Sequence, residues 1–376
     1  MARLSRAETQ QRTRGKVLAA ARHEFAERGF RAAKIDAIAQ RAELTRGAVY
    51  SNFPGKRALY FAVLADLAAR PPSWEAAPPR PGRTDREALG ALARAWVARL
   101  PPADAGHDGE ARLGADLMPE VLADPRVRLP YLQLMRLDAL LAALALEQLR
   151  PPEVLPGAPP RRRVRLAETV LTTLHGASRM AAVAPGFVAP FDIVSAAEQL
   201  AGLRIDDWWC PPDIVAPAQP ADERWAPPAA VDVVRGEAAR LDGDGVVAFL
   251  GLHRLAAAEQ LVRAAAPGDA VTAVLVTGEP GELGPLARLV LAELCGCLRE
   301  AFPRSAWPRL QVVCDESGAV AAAAGVLAVS DATETAVRVT GGRIVARADG
   351  SGSCHAMASD SVVPARSPQR SPRRRP

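Results

Sequence analysis

Cysteine is scarce: five residues in 376, at positions 210, 295, 297, 314 and 354. An odd, scattered set does not make a disulfide framework, suits a reducing cytoplasm, and has no zinc-type spacing. No uninterrupted apolar stretch approaches the ~18 residues that a membrane span requires. The segment Met1 to Gln10 carries Arg3, Arg6 and Glu8 instead of an apolar leader. The expectation is a soluble, cytoplasmic chain with no membrane partner. Paired carboxylates, metal-ligand clusters and nucleophile constellations are also missing from the middle of the sequence, so neither enzyme chemistry nor a cofactor or metal is expected. What is present is ordinary for globular proteins: 49% hydrophobic and 24% charged residues, enough for a core. A domain usually takes ~100–200 residues, so the length predicts two or three.

The net charge of +5 hides a segregation. Residues 1–70 hold 14 Lys and Arg against 6 Asp and Glu, and the stretch from Ala365 to Pro376 has five Arg and no acid. Between them, 28 bases face 36 acids. A basic module on an acidic body is the electrostatic footprint of a nucleic-acid binder, although a charged surface alone is also explained by solvation.

Three proline-rich stretches, Pro71 to Arg83, Pro151 to Pro160 and Pro211 to Pro228, interrupt the chain, because proline removes a donor and locks φ. The first and third read as domain boundaries and the second as a long helix-helix loop. Between Arg83 and Leu203 apolar residues recur at helical spacing, as in Leu89, Leu92, Trp96 and Leu100. After Pro228 short β-branched runs (Gly245 to Gly251, Ala270 to Thr277, Leu310 to Cys314) alternate with helical stretches at 254–265, 284–301 and 317–325. Thr335 to Thr340 and Arg343 to Ala348 flank Gly341-Gly342, a two-residue hairpin signal. This order predicts an α/β domain. The predicted organisation is 1–70, 84–205, a Pro-rich linker at 206–229, an α/β domain at 230–352, and a disordered basic tail at 353–376.

The N-terminal segment carries the most specific pattern. Glu8 to Glu27 forms one helix with Val17, Leu18, Ala21 and Phe25 on one face, ended by Gly29. Ile35, Ile38, Ala39 and Ala42 mark a second helix, Glu43-Leu44 a tight turn, and Thr45 the cap of a third helix, Arg46 to Asn52. Two short helices joined by a tight turn make a helix-turn-helix, whose second helix enters the major groove. Arg46 suits guanine and Asn52 adenine or a phosphate, while Gly47 and Ala48 allow close approach. Val49 and Phe53 face the core. Lys56 opens the next helix, where backbone N–H groups and a cation together favour a phosphate. The plainer alternative is a basic helical bundle.

The run from Ile38 to Leu59, with Thr45-Arg46-Gly47-Ala48-Val49-Tyr50 and Asn52-Phe53-Pro54-Gly55-Lys56 at its centre, resembles the TetR family of transcriptional repressors over about residues 8–66. The resemblance implies phosphate contacts from Tyr50 and Lys56, and base reading at the start of the third helix. The expected DNA-binding set is therefore Thr45, Arg46, Gly47, Ala48, Tyr50, Asn52 and Lys56. Two positions depart from the family: Ala33 where a capping Thr is common, and Glu43 where the turn often has Gly. The resemblance further implies an all-α TetR-like regulator up to about residue 205. It would be a homodimer on a palindromic double-stranded operator, answering to a small apolar effector, with Leu166 to Leu203 (Leu171, Leu174, Gly176, Met180) as the dimer-forming helices. Trp96, Met118, Met135 and His175 are the candidate effector-pocket residues, weighed against a plain core role.

The segment 230–350 resembles a thioredoxin-like or peroxiredoxin-like fold through its strand and helix order and its closing hairpin. Redox members of that group place a cysteine where the first central strand meets its helix, since the helix N-terminus lowers the thiol pKa. Here that junction reads Gly251-Leu252-His253-Arg254-Leu255, and no proline precedes the hairpin between Val329 and Thr335. The expectation is an independently folding α/β domain without redox catalysis. The alternative is a thiol-redox sensor or enzyme targeted to DNA by the helix-turn-helix, and a further one is a module that holds a partner protein.

Overall fold

The computed structural model describes residues 5–70, 80–100, 113–151, 162–184, 186–207, 209–266 and 268–359. Most of the first two proline-rich stretches and the arginine tail from Ala365 lie outside the described residues.

The helical half begins with α1 (Arg6–Ala32), opened by a capping box in which Ser5 Oγ accepts from the Glu8 N–H and the Glu8 carboxylate accepts from the Ser5 N–H. Gly29, at φ 71°, breaks its regularity near the end, where the sequence predicted the stop. Three shorter helices follow: α2 (Ile35–Arg41), α3 (Arg46–Tyr50) and α4 (Lys56–Ala68). A second capping box, Thr84 with Glu87, opens α5 (Asp85–Val97). Then come α6 (Leu117–Ala123), α7 (Pro125–Leu149), α8 (Val164–Val183) and α9 (Pro190–Leu200). By length and composition α7 could cross a membrane, but 72% of its apolar window is buried inside the protein, where it packs on α8.

The second half is built on a six-stranded mixed sheet. Its strands are β1 (Gln219–Arg224), β4 (Gly245–Gly251), β5 (Ala270–Val276), β6 (Gln311–Cys314), β7 (Glu334–Thr340) and β8 (Arg343–Asp349), in spatial order β1-β8-β7-β4-β5-β6. A small separate ladder, β2 (Val231–Asp232) with β3 (Glu237–Ala238), lies beside β6. β4, β5 and β6 run parallel, whereas β7, β8 and β1 are antiparallel additions. Every residue of β4 is buried, as its unbroken apolar run requires. Gly341 (φ 57°) and Gly342 (φ 71°) supply the left-handed pair that the β7–β8 hairpin needs. The helices α10 (Ala257–Ala264), α11 (Leu283–Ala301) and α12 (Ala319–Ala323) connect the strands.

Three expectations are corrected. The linker at 206–229 contains β1, an edge strand, and Pro220 is tolerated there because an edge does not need every N–H. The tail predicted from 353 begins instead with α13 (Ser353–Ala358), whose Cys354 and Met357 are buried and which packs on α10, β7 and β8. Arg338 fixes it by donating to the Met357 carbonyl at 2.6 and 3.1 Å.

The third correction is the largest: the two halves share a core. α11 is buried on nearly every face and packs on α4, α5 and α7 of the helical half, as expected of a helix that is apolar all round. An ionic seam adds to this contact. Asp207 accepts from Arg263 at 2.7 and 2.9 Å and from the Arg162 N–H at 2.9 Å, and Arg162 bridges to Glu147 at 2.8 Å and to the Val262 carbonyl at 3.1 Å.

Candidate nucleic-acid interface

The turn between α2 and α3 is a Schellman motif: the Leu44 N–H donates to the Ala39 carbonyl at 2.9 Å and the Glu43 N–H to the Gln40 carbonyl at 3.1 Å. That motif requires a left-handed residue, and Glu43 takes the position at φ 56° where glycine is the ordinary choice. At the other end of α2 the N-cap, Lys34, makes no side-chain capping bond, in keeping with Ala33 before it.

Thr45 caps α3 as predicted, its Oγ1 accepting from the Ala48 N–H at 3.2 Å. Val49 and Phe53 are buried and pin the helix to the core. Arg46, Gly47 and Tyr50 are exposed together on the outer face. The Arg46 guanidinium lies 5.5 Å from the Tyr50 ring centroid and 3.5 Å from Asp36 Oδ1. Ala48 is half-buried. Asn52 spends its amide on the Ala48 carbonyl at 2.8 Å, closing the helix C-terminus. Lys56 sits at the N-terminus of α4, its Nζ donating to the Arg31 carbonyl at 3.0 Å and lying 4.8 Å from the Phe30 ring centroid. Burial there lowers its pKa. The expected set of seven thus divides into an exposed face of three, a cap, the half-buried Ala48, and two groups engaged by backbone carbonyls.

Two arginines outside that set position the unit. Arg14 reaches from α1 to the Asn52 carbonyl at 3.2 Å, with its guanidinium 4.4 Å from the Phe53 ring centroid. A basic residue one turn before Val17 and Leu18, on the apolar face, was the available sequence signal. Arg57 donates to Asp124 at 2.9 Å and pairs with Glu282 from the second half. Next to this pair a Cβ on Gly281 would lie 2.9 Å from Pro54 Cγ, so the 278–284 loop is fitted against the helix-turn-helix. Glu282 of that loop serves Arg57.

The four candidate pocket residues fall into two groups. Trp96 and His175 meet edge-on at 4.8 Å between ring centroids, and Trp96 Nε1 donates to Ser178 Oγ at 2.8 Å. Burial pushes the His175 pKa down to about 4, so the ring is neutral at physiological pH. Met118 and Met135 pack on the other, larger core cluster. Among the described residues no group of three or more His, Cys, Asp or Glu is arranged to hold a metal ion.

Residues 17–63 match the family described as bacterial regulatory proteins, tetR family. Among solved structures, a TetR transcriptional regulator from Rhodococcus sp. RHA1 is 16% identical, covering 51% of this chain and 95% of that one, with a TM-score of 0.31. A second transcriptional regulator from the same organism is 20% identical, covering 50% and 94%, with a TM-score of 0.34. RolR, solved with the ligand resorcinol, is 21% identical over 53% of this chain and 92% of that one, with a TM-score of 0.29. No curated protein matches the chain.

Proposed function

We propose that this chain is a TetR-like DNA-binding transcriptional regulator, a repressor that binds a palindromic duplex as a homodimer and is released by a small apolar effector held in its helical half. The carrying observation is the exposed Arg46, Gly47 and Tyr50 face on a helix capped by Thr45 and pinned by Val49 and Phe53, within the segment that matches the tetR family. The net charge of the first 70 residues supplies the sequence-independent attraction to phosphate.

Self-association is supported by an apolar patch where α8 ends and α9 begins: Val183, Phe187 and Phe191 are 81%, 72% and 79% exposed. Leu171 and Leu174, expected at the same interface, are buried within the single chain instead, and Met180 lies at its border at 39% exposure. A two-fold dimer would present two α3 helices to half-sites about 34–36 Å apart.

For the second half the reading is a thioredoxin-like unit acting without a thiol. β5, β4, β7 and β8 lie side by side, β4–α10–β5 forms the parallel crossover, and β6 extends the β5 edge. Cys295, Cys297 and Cys354 are buried, and burial pushes their thiols up, Cys297 to about 12; the half-buried Cys314 is pushed up to about 11. These four neutral, largely enclosed thiols weigh against the redox alternative, and Cys210 is the exposed one among the five.

Footprinting and salt titration on the DNA upstream of the gene test this reading. Arg46→Ala is expected to relax base preference at a cost of about 1–3 kcal/mol, and Lys56→Ala to weaken all sequences alike and reduce the salt slope by about one. Unchanged footprints and slopes in both variants would refute these roles.

A further inference from the structure

A cleft of about 680 Å³ opens where the helix-turn-helix meets the second half, walled by α1, α4, α11 and the 278–285 loop. It contains none of the four effector candidates named from the sequence. Its walls are mainly apolar: Leu18, Ala62, Ala65, Pro285, Leu291 and Ala292. Into this surface reach Arg14, Arg288 and Arg299, against two carboxylates, Asp66 and Glu316. Asp66 pairs with Arg70 and Glu316 with Arg288. Arg14 donates to the Asn52 carbonyl, and Arg299 to the carbonyls of Val233 and Val234 at 3.0 Å each. Arg14 and Arg299 are answered by carbonyl dipoles and Arg288 by Glu316, while Arg70 answers Asp66, so the guanidinium groups leave an excess of positive charge among apolar walls in a partly desolvated place. Burial lowers the pKa of both Arg14 and Arg288, and Arg14 lowers that of Arg288 further, so the two cations repel each other across the cleft.

We propose that this cleft is a binding site for an amphipathic organic anion, an apolar body with one carboxylate head, held by Arg14 and Arg288 with the body against α4 and α11. The volume lies in the range of small-molecule sites, and a planar fork such as guanidinium suits a carboxylate. Arg14 also holds the carbonyl at the end of α3, so an occupant that draws on Arg14 acts on the recognition helix through one side chain. Binding is a property of the cleft alone and is tested without DNA, so its failure and that of the regulator reading are separable.

Isothermal titration of the full chain with dodecanoate, dodecan-1-ol and inorganic phosphate provides the test. Dodecanoate is expected to bind once per chain, with the alcohol and the phosphate each weaker by about tenfold or more, because one lacks the head and the other the body. Arg288→Gln is expected to weaken dodecanoate by about tenfold, and Ala292→Phe to block it. Ala69→Trp, at the exposed end of α4 on the rim of the cleft, is the second blocking variant should Ala292→Phe fail to fold. Dodecanoate binding untouched by these substitutions, matched by the alcohol or by phosphate, or absent altogether overturns the proposal.

Discussion

Asp138 on α7 and Glu293 on α11 interact across the contact that joins the two halves, where water is largely excluded. Asp138 is 2% exposed, and its Oδ1 has no hydrogen-bond partner. Burial, reinforced by Glu293, holds its pKa well above the carboxylate range. Glu293 is raised to about 7, again by burial, with Arg99 of α5 only partly opposing. A carboxyl whose folded pKa exceeds its unfolded value binds its proton more tightly in the fold. Its contribution is therefore complete below about pH 4.5 and is lost as pH rises through 7. Stability is expected to fall between pH 5 and 8, and Glu293→Gln to reduce that slope and exceed the native chain at pH 8 by roughly 2–3 kcal/mol. Urea midpoints at the two pH values check this; an unchanged slope in the variant would assign the titration to other groups.

At the scale of elements, the α2–α3 turn stores strain at Glu43, because a left-handed conformation costs a residue with a Cβ about 1–2 kcal/mol. Glu43→Gly relieves that strain while adding freedom to the unfolded chain, for a net gain of about 0.5–1 kcal/mol. A thermal midpoint a few degrees higher would bear this out, and a lower one would show that the Glu43 side chain stabilises the turn by other contacts. Elements with strong local chemistry were legible from sequence: the Thr45 cap, the Gly29 stop, the apolar β4 run and the Gly341-Gly342 hairpin each act through their own residues. β1 and α13 were not legible, since Pro220 and the short Cys354-to-Ala358 run stabilise nothing alone and take shape only against β8 and against α10 and β7. The same holds in the interface. Exposed Arg46 followed from helix periodicity, whereas the anchoring of Arg14 and Arg57 depends on partners 38 and 225 residues away.

At the scale of the molecule, α11 decides the architecture. Its pattern shows that it is buried, but pattern alone does not say against what; the structure sets it on α4, the helix that follows the helix-turn-helix, as well as on α5 and α7. Arg57 between Asp124 and Glu282, and Asp207 between Arg162 and Arg263, make the same connection with charges. Removing one partner of the buried Asp207–Arg263 pair costs about 3–5 kcal/mol, so the seam is not decorative. The second half is then part of the support of the helix-turn-helix rather than a separate appendage. Ending the chain after residue 205 tests this most directly, with the melting transition and binding to the upstream DNA followed for both lengths. The full chain is expected to melt in one cooperative transition and to bind, and the fragment to lose its sharp transition and its DNA affinity, because the apolar faces of α4, α5 and α7 would stand open. A fragment that melts as cooperatively as the full chain and binds the same DNA equally well would contradict the shared core.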